Sequence, residues 1–171
     1  NDSYADVLRF SQMRPDEGVM GGFSTYVKFS LSADAQNPRH RKSPGIRPAL
    51  ESFYKRSYYT PPIIAANEEA LKIYKASVEA SYDFFEAQRE KIGFGEAAYA
   101  LTNAHEIEFV ERNDFTSFHH KAQMRLCYNA QQEIYDMVYE QARQLRERKV
   151  KGAEKFLPPC TVRAEMNIHP I

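Results

Sequence analysis

The stretch AQNPRHRKSPGIRP, residues 35–48, gathers Arg39, His40, Arg41, Lys42 and Arg47 between prolines and a glycine, in a chain whose 23 Lys+Arg and 23 Asp+Glu cancel. A guanidinium is a planar fork that grips phosphate or carboxylate at two points, and prolines restrict the backbone before a ligand arrives. That combination suits an anion site. It equally describes a solvated, proline-stiffened connector, and the charges by themselves do not separate the two. Because the whole chain is neutral, no long-range field draws it to DNA, RNA or an anionic membrane, so any anion must be held locally. The seven glycines never form G-x-x-x-x-G-K or G-x-G-x-x-G, which leaves side chains to hold any nucleotide.

A second polar set lies at four-residue spacing: Ser117, Lys121, Arg125 and Asn129, continued by Glu133. On a helix this is either ordinary solvated surface or a ridge facing a pocket, with Glu133 placed to orient Asn129 or Arg125. His119 and His120 are adjacent, so a helix turns them about 100° apart and they cannot share a metal. Cys160 and His169 are only two soft ligands, and no metal site is expected. Nothing resembles a nucleophile elbow.

These residues need elements to position them. Phe23, Tyr26, Val27, Phe29 and Leu31 alternate with small or polar residues over 21–32 and predict a strand. Prolines 44, 48, 61 and 62 leave room only for a short helix between Ala49 and Tyr58. From Asn67, an N-cap, Leu71, Tyr74, Val78, Tyr82 and Phe85 recur at helical spacing and predict a helix that stops at Gly93. Residues 105–111 read as a strand or turn. Over 116–149 the stripe Phe118, Ala122, Leu126, Ala130, Ile134, Val138, Ala142 and Leu145 predicts one long helix, with basic residues at its end. The 171 residues fit a single domain, 1–171. The lack of an initiator Met and the ending NIHPI suggest a chain cut from something longer, or one half of a tandem arrangement. No apolar run reaches the roughly 18 residues of a membrane span, and two cysteines, Cys127 and Cys160, suit a reducing compartment, so the expected location is the cytoplasm.

The loop RHR at 39–41, preceded by Gln36, and the segment SFHHKAQMRLCYNAQQEI at 117–134 together resemble the flavin-dependent thymidylate synthase family, whose signature is R-H-R followed by S-x-N-E-x-S-x-R-Y. Tyr99, Leu101, Ser117, Arg125 and AQQEI at 130–134 are similar to the family's tyrosine-leucine stretch and arginine-bearing helix, and the likeness covers about 23–145. It implies an α+β fold, with a twisted antiparallel sheet and long helices, and a homotetramer whose sites are shared between subunits around FAD. The implied reaction transfers a methylene from methylenetetrahydrofolate to C5 of dUMP, giving dTMP, with NADPH as reductant. The resemblance further implies that Gln36, Arg39 and Arg125 bind the pyrimidine nucleotide, Arg125 at the catalytic position, and that Arg39, His40, Arg41, His120 and Asn129 bind the flavin. His120 and Asn129 differ in type from the family's residues there.

After RHR the signature is rewritten: KSPGIRPALESFY puts Pro44, Ile46, Arg47, Ala49 and Glu51 where Ser, Asn, Glu, Ser and Arg would stand. Glu51 would repel a phosphate, so Arg47 is the residue expected to take over the substrate's charge. Two functions follow: a flavin-dependent pyrimidine methyltransferase with an altered nucleotide pocket, or a non-catalytic half or subunit that completes a composite assembly.

Overall fold

The computed structural model describes residues 4–11, 21–37, 45–46, 49–127, 129–158 and 160–161. The alternation around Val27 forms β2 (Gly22–Ser30), where Phe23, Thr25, Val27 and Phe29 are all buried. β2 is central. It pairs antiparallel with β1 (Tyr4–Ser11) on one side and β4 (Glu106–Asp114) on the other. The short β3 (Gly45–Ile46) pairs antiparallel with β4, giving the order β1-β2-β4-β3 among the described residues. Residues 105–111 are therefore a strand and its start. β1 has no counterpart in the sequence reading. A register shift between Val7 and Arg9 breaks the period-two pattern that marks a strand.

Ser30 ends β2 and caps α1 (Leu31–Gln36), its hydroxyl accepting from the Ala33 amide. α2 (Leu50–Phe53) and α3 (Pro62–Ala65) are single turns in the proline-rich stretch. α4 (Glu68–Ile92) starts where predicted, with Asn67 Oδ1 accepting from the Ala70 amide, and stops at Gly93 at φ 92°, a backbone region that favours glycine. α5 (Phe94–Ala97) and a 3-10 turn, Ala98–Ala100, fold back against it.

The long helix expected over 116–149 is two helices: α6 (Phe115–Arg125), capped by Asp114, and α7 (Gln132–Glu147). Geometry explains the break. Four-residue spacing exceeds the 3.6-residue turn, so a stripe running from Phe118 to Leu145 would drift about half a turn around one continuous helix. The turn between them resets the phase. Phe118, Ala122, Ile134, Val138, Ala142 and Leu145 are each buried in one core with Val7, Phe23, Val27, Phe29 and Phe109 of the sheet. α6 and α7 thus cover one face of the sheet. A second cluster, Val78, Tyr82, Phe85, Ala97 and Leu101, joins α4 to α5 and the turn after it. The fold is α+β, with an antiparallel sheet and long helices.

Candidate functional site

The polar residues of the core converge on one carboxylate. β4 turns Phe109, Glu111 and Asn113 inward on alternate residues, and Glu111 is 1% exposed. Lys121 Nζ of α6 lies 2.7 Å from Glu111 Oε1 and is also fully buried. Gln141 Nε2 of α7 donates to the same oxygen at 2.8 Å, and Asn113 Nδ2 at 3.1 Å. Asn37 Nδ2 donates to Glu111 Oε2 at 2.8 Å. Burial opposes ionisation of this carboxyl, but the charge and hydrogen bond of Lys121, followed by the bonds from Asn37 and Gln141, outweigh it and hold it at about 2.

Glu111 also meets the described residues that flank 38–44 in the sequence. Asn37 is the last described residue before Pro38 and residues 39–41, and its side chain ends on Glu111. Gly45, the first described residue after them, pairs with Glu111 through the β3–β4 ladder. Both ends of the segment 38–44 are therefore referred to a single residue of β4.

Beside this anchor a second network binds α1 to the α6–α7 turn. Arg125 Nη2 donates to the Gln36 carbonyl at 2.8 Å. Gln36 Nε2 donates to Gln131 Oε1 at 2.6 Å, and Ser32 Oγ donates to the same oxygen at 3.3 Å. Gln131 Nε2 reaches Glu133 Oε2 at 3.3 Å. Glu133, buried, accepts from the Ser30 amide at 2.7 Å and from the Ser30 hydroxyl. Two of the predicted site residues, Gln36 and Arg125, are thus brought into contact across 89 residues of chain.

The expected polar ridge is not a single surface. Ser117 is nearly buried and bonded to the Asp114 cap, Lys121 is inside the core, and Asn129 is exposed in the turn, off either helix. His120 lies exposed on α6. Glu133 is taken up by Ser30 and Gln131. Arg39, His40, Arg41 and Arg47 lie outside the described residues, as does His169. Among the described residues no group of His, Cys, Asp or Glu is arranged to hold a metal, and no helix is long and apolar enough to cross a membrane.

Glu51, the residue at the rewritten end of the signature, lines an open groove of about 320 Å³ with Tyr54, Arg89, Glu90 and Phe94. Arg89 lies over the Tyr54 ring, 5.9 Å from its centroid. The groove therefore offers one cation and two carboxylates beside aromatic faces.

The sequence reading missed Glu111, Asn37, Gln131 and Ser30, and it placed Lys121 on a surface file. One signal was present: Glu111 and Asn113 share the inward face with Phe109, and a polar residue in that phase needs a buried partner. The guanidinium of Arg125 and the side-chain amides of Gln36 and Asn37 are groups of the kind that suit oxygen acceptors. A family model described as thymidylate synthase complementing protein matches residues 11–149, from the end of β1 past the end of α7. No curated protein matches the chain.

Proposed function

Because the chain belongs to the thymidylate synthase complementing protein family, we propose that it is a flavin-dependent enzyme that methylates a pyrimidine nucleotide at C5, in the manner of dUMP to dTMP. The observation that carries this reading is the Arg125 to Gln36 contact. It joins α6 to α1 three residues before Arg39 in the sequence, so two of the candidate nucleotide ligands, Gln36 and Arg125, share one neighbourhood. FAD suits the donor set: Arg39, His40 and Arg41 would hold its phosphates and ring oxygens, with His120 and Asn129 exposed on α6 and the following turn to contribute further polar contacts. When bound, the flavin would supply the reducing equivalents, with NADPH and methylenetetrahydrofolate as co-substrates.

This chain's own residues have binding and orienting work. Arg125, its guanidinium tied to the Gln36 carbonyl, would place positive charge beside a bound uracil and stabilise negative charge as it develops there. Arg47 would meet the phosphate. The active unit is proposed as a tetramer, or a pairing with a second homologous half. One feature supports the non-catalytic alternative: Glu51 stands at the signature's final arginine and lines a groove with a second carboxylate, Glu90.

Titration of FAD into the full chain, followed by dUMP, UMP and uridine, tests the reading. Arg39→Ala is expected to weaken flavin or nucleotide binding by about 1.5–3 kcal/mol, the range of a charge-assisted hydrogen bond. Lys149→Ala, cationic but beyond the end of α7, should leave affinity unchanged. Arg47→Ala should weaken dUMP more than uridine, and Glu51→Arg should tighten dUMP. A chain that binds FAD but none of the three pyrimidines would favour the non-catalytic assembly role, and one that binds no FAD would defeat the enzyme reading.

A further inference from the structure

α4 carries two apolar stripes where a helix packed against one core needs one. Val78, Tyr82 and Phe85 face inward and are buried. On the opposite side, Glu69, Ile73, Ala76, Ala80, Phe84, Ala87 and Lys91 fall within about 60° of a single line along the helix. All are exposed, Ile73 at 62% and Phe84 at 57%. Small residues between two large ones leave the surface indented, which permits close approach of another helix.

The order of this stripe reads as a two-fold. About Ala80, positions at equal distance on either side are complementary: Ala76 answers Phe84, Ile73 answers Ala87, and Glu69 answers Lys91. An antiparallel copy centred on Ala80 would therefore set each large residue against a small one and each terminal charge against its opposite. Across the whole of α4, this register places no two charges of one sign opposite each other. A self-complementary patch of this kind is what an isologous interface requires.

We propose that the outer face of α4 docks antiparallel on α4 of a second copy of this chain, with the two-fold axis at Ala80. The proposal deepens the assembly part of the functional reading by giving it a surface, while its test reads mass and cross-linking and leaves ligand binding to the flavin titration. With Cys127 and Cys160, the free cysteines of the described residues, both replaced by Ser, Ala80→Cys is expected to form a disulfide-linked dimer under mild oxidation. Lys72→Cys is not, since its two copies stand about 24 Å apart along the axes in this register.

Ala80→Arg sets two guanidiniums against each other at the axis, and light scattering should then read half the mass of the parent chain with its circular dichroism unchanged. Glu69→Lys and Lys91→Glu should each shift the mass downward, and the double variant should restore it. Failure of Ala80→Cys to cross-link, or retention of the parent mass by Ala80→Arg, overturns the interface. Failure alongside intact flavin binding would leave the functional reading in place, and cross-linking without flavin binding would do the reverse.

Discussion

Glu111 is ionised where water cannot reach it, so its partners decide the stability of the centre of the fold. Removing Lys121 would leave that charge uncompensated, and Lys121→Met is expected to cost about 3–5 kcal/mol in urea denaturation. The acid response should change as well. The folded value, about 2, lies below the ordinary 4.5, so the unfolded chain takes up the proton first as pH falls. The stabilisation is complete above 4.5 and is lost between 4.5 and about 2. His105 adds a separate window. It is 1% exposed, its Nδ1 is 2.8 Å from the Tyr82 hydroxyl, and that hydroxyl donates to the Ser57 carbonyl. The imidazole must then donate through Nδ1, which leaves Nε2 as an acceptor, and Nε2 has no partner among the described residues. Burial lowers its value from 6.5 to about 4. Between those values the unfolded chain is protonated and the folded one is not, so stability should fall as pH drops from 6.5 to 4. Melting temperatures across that range should slope for the parent chain and flatten for His105→Phe.

At the scale of elements, β2 and β4 approach unusually closely at Gly22. A Cβ there would meet the Asn113 carbonyl oxygen at 2.5 Å and the Asp114 Cα at 3.2 Å, both backbone atoms that cannot swing aside. Gly22→Ala is therefore expected to cost about 1–3 kcal/mol as overpacking, measured by denaturant midpoint. Asp114 is also the cap of α6, so the same change should loosen the first turn of that helix. The elements most legible in the sequence were those with caps and a clean period: Asn67, the Tyr74–Val78–Tyr82–Phe85 series and Gly93 defined α4. The α6–α7 break was hidden because no proline or glycine marks it. Its trace was the four-residue spacing itself, which a straight helix cannot keep on one face. β1 escaped notice because the residue next to buried Val7 is the apolar Leu8, which is 55% exposed, so its apolar residues do not alternate with polar ones.

At the scale of the molecule, ligand binding should report on the whole fold. A flavin that binds only the folded chain at 100 times its dissociation constant would add about 2.7 kcal/mol, visible as a rise in melting temperature that Arg39→Ala reduces. The sequence disclosed the α+β class through pattern and motif, and it singled out Gln36 and Arg125, which the fold brings into contact. It did not disclose which residues tie them together, because those bonds join β4, α1, α6 and α7, segments far apart in the chain. The anchoring at Glu111 has an implication for engineering and for divergence. Asn37 and Gly45, which flank residues 38–44 in the sequence, are both fastened to one strand position. Exchanging residues 38–44 while Asn37, Gly45 and Glu111 are kept is expected to leave the denaturant midpoint of the chain unchanged, so that ligand preference can be retuned apart from stability. A 38–44 segment taken from another family member would meet the same two landing points, Asn37 and Gly45, at Glu111.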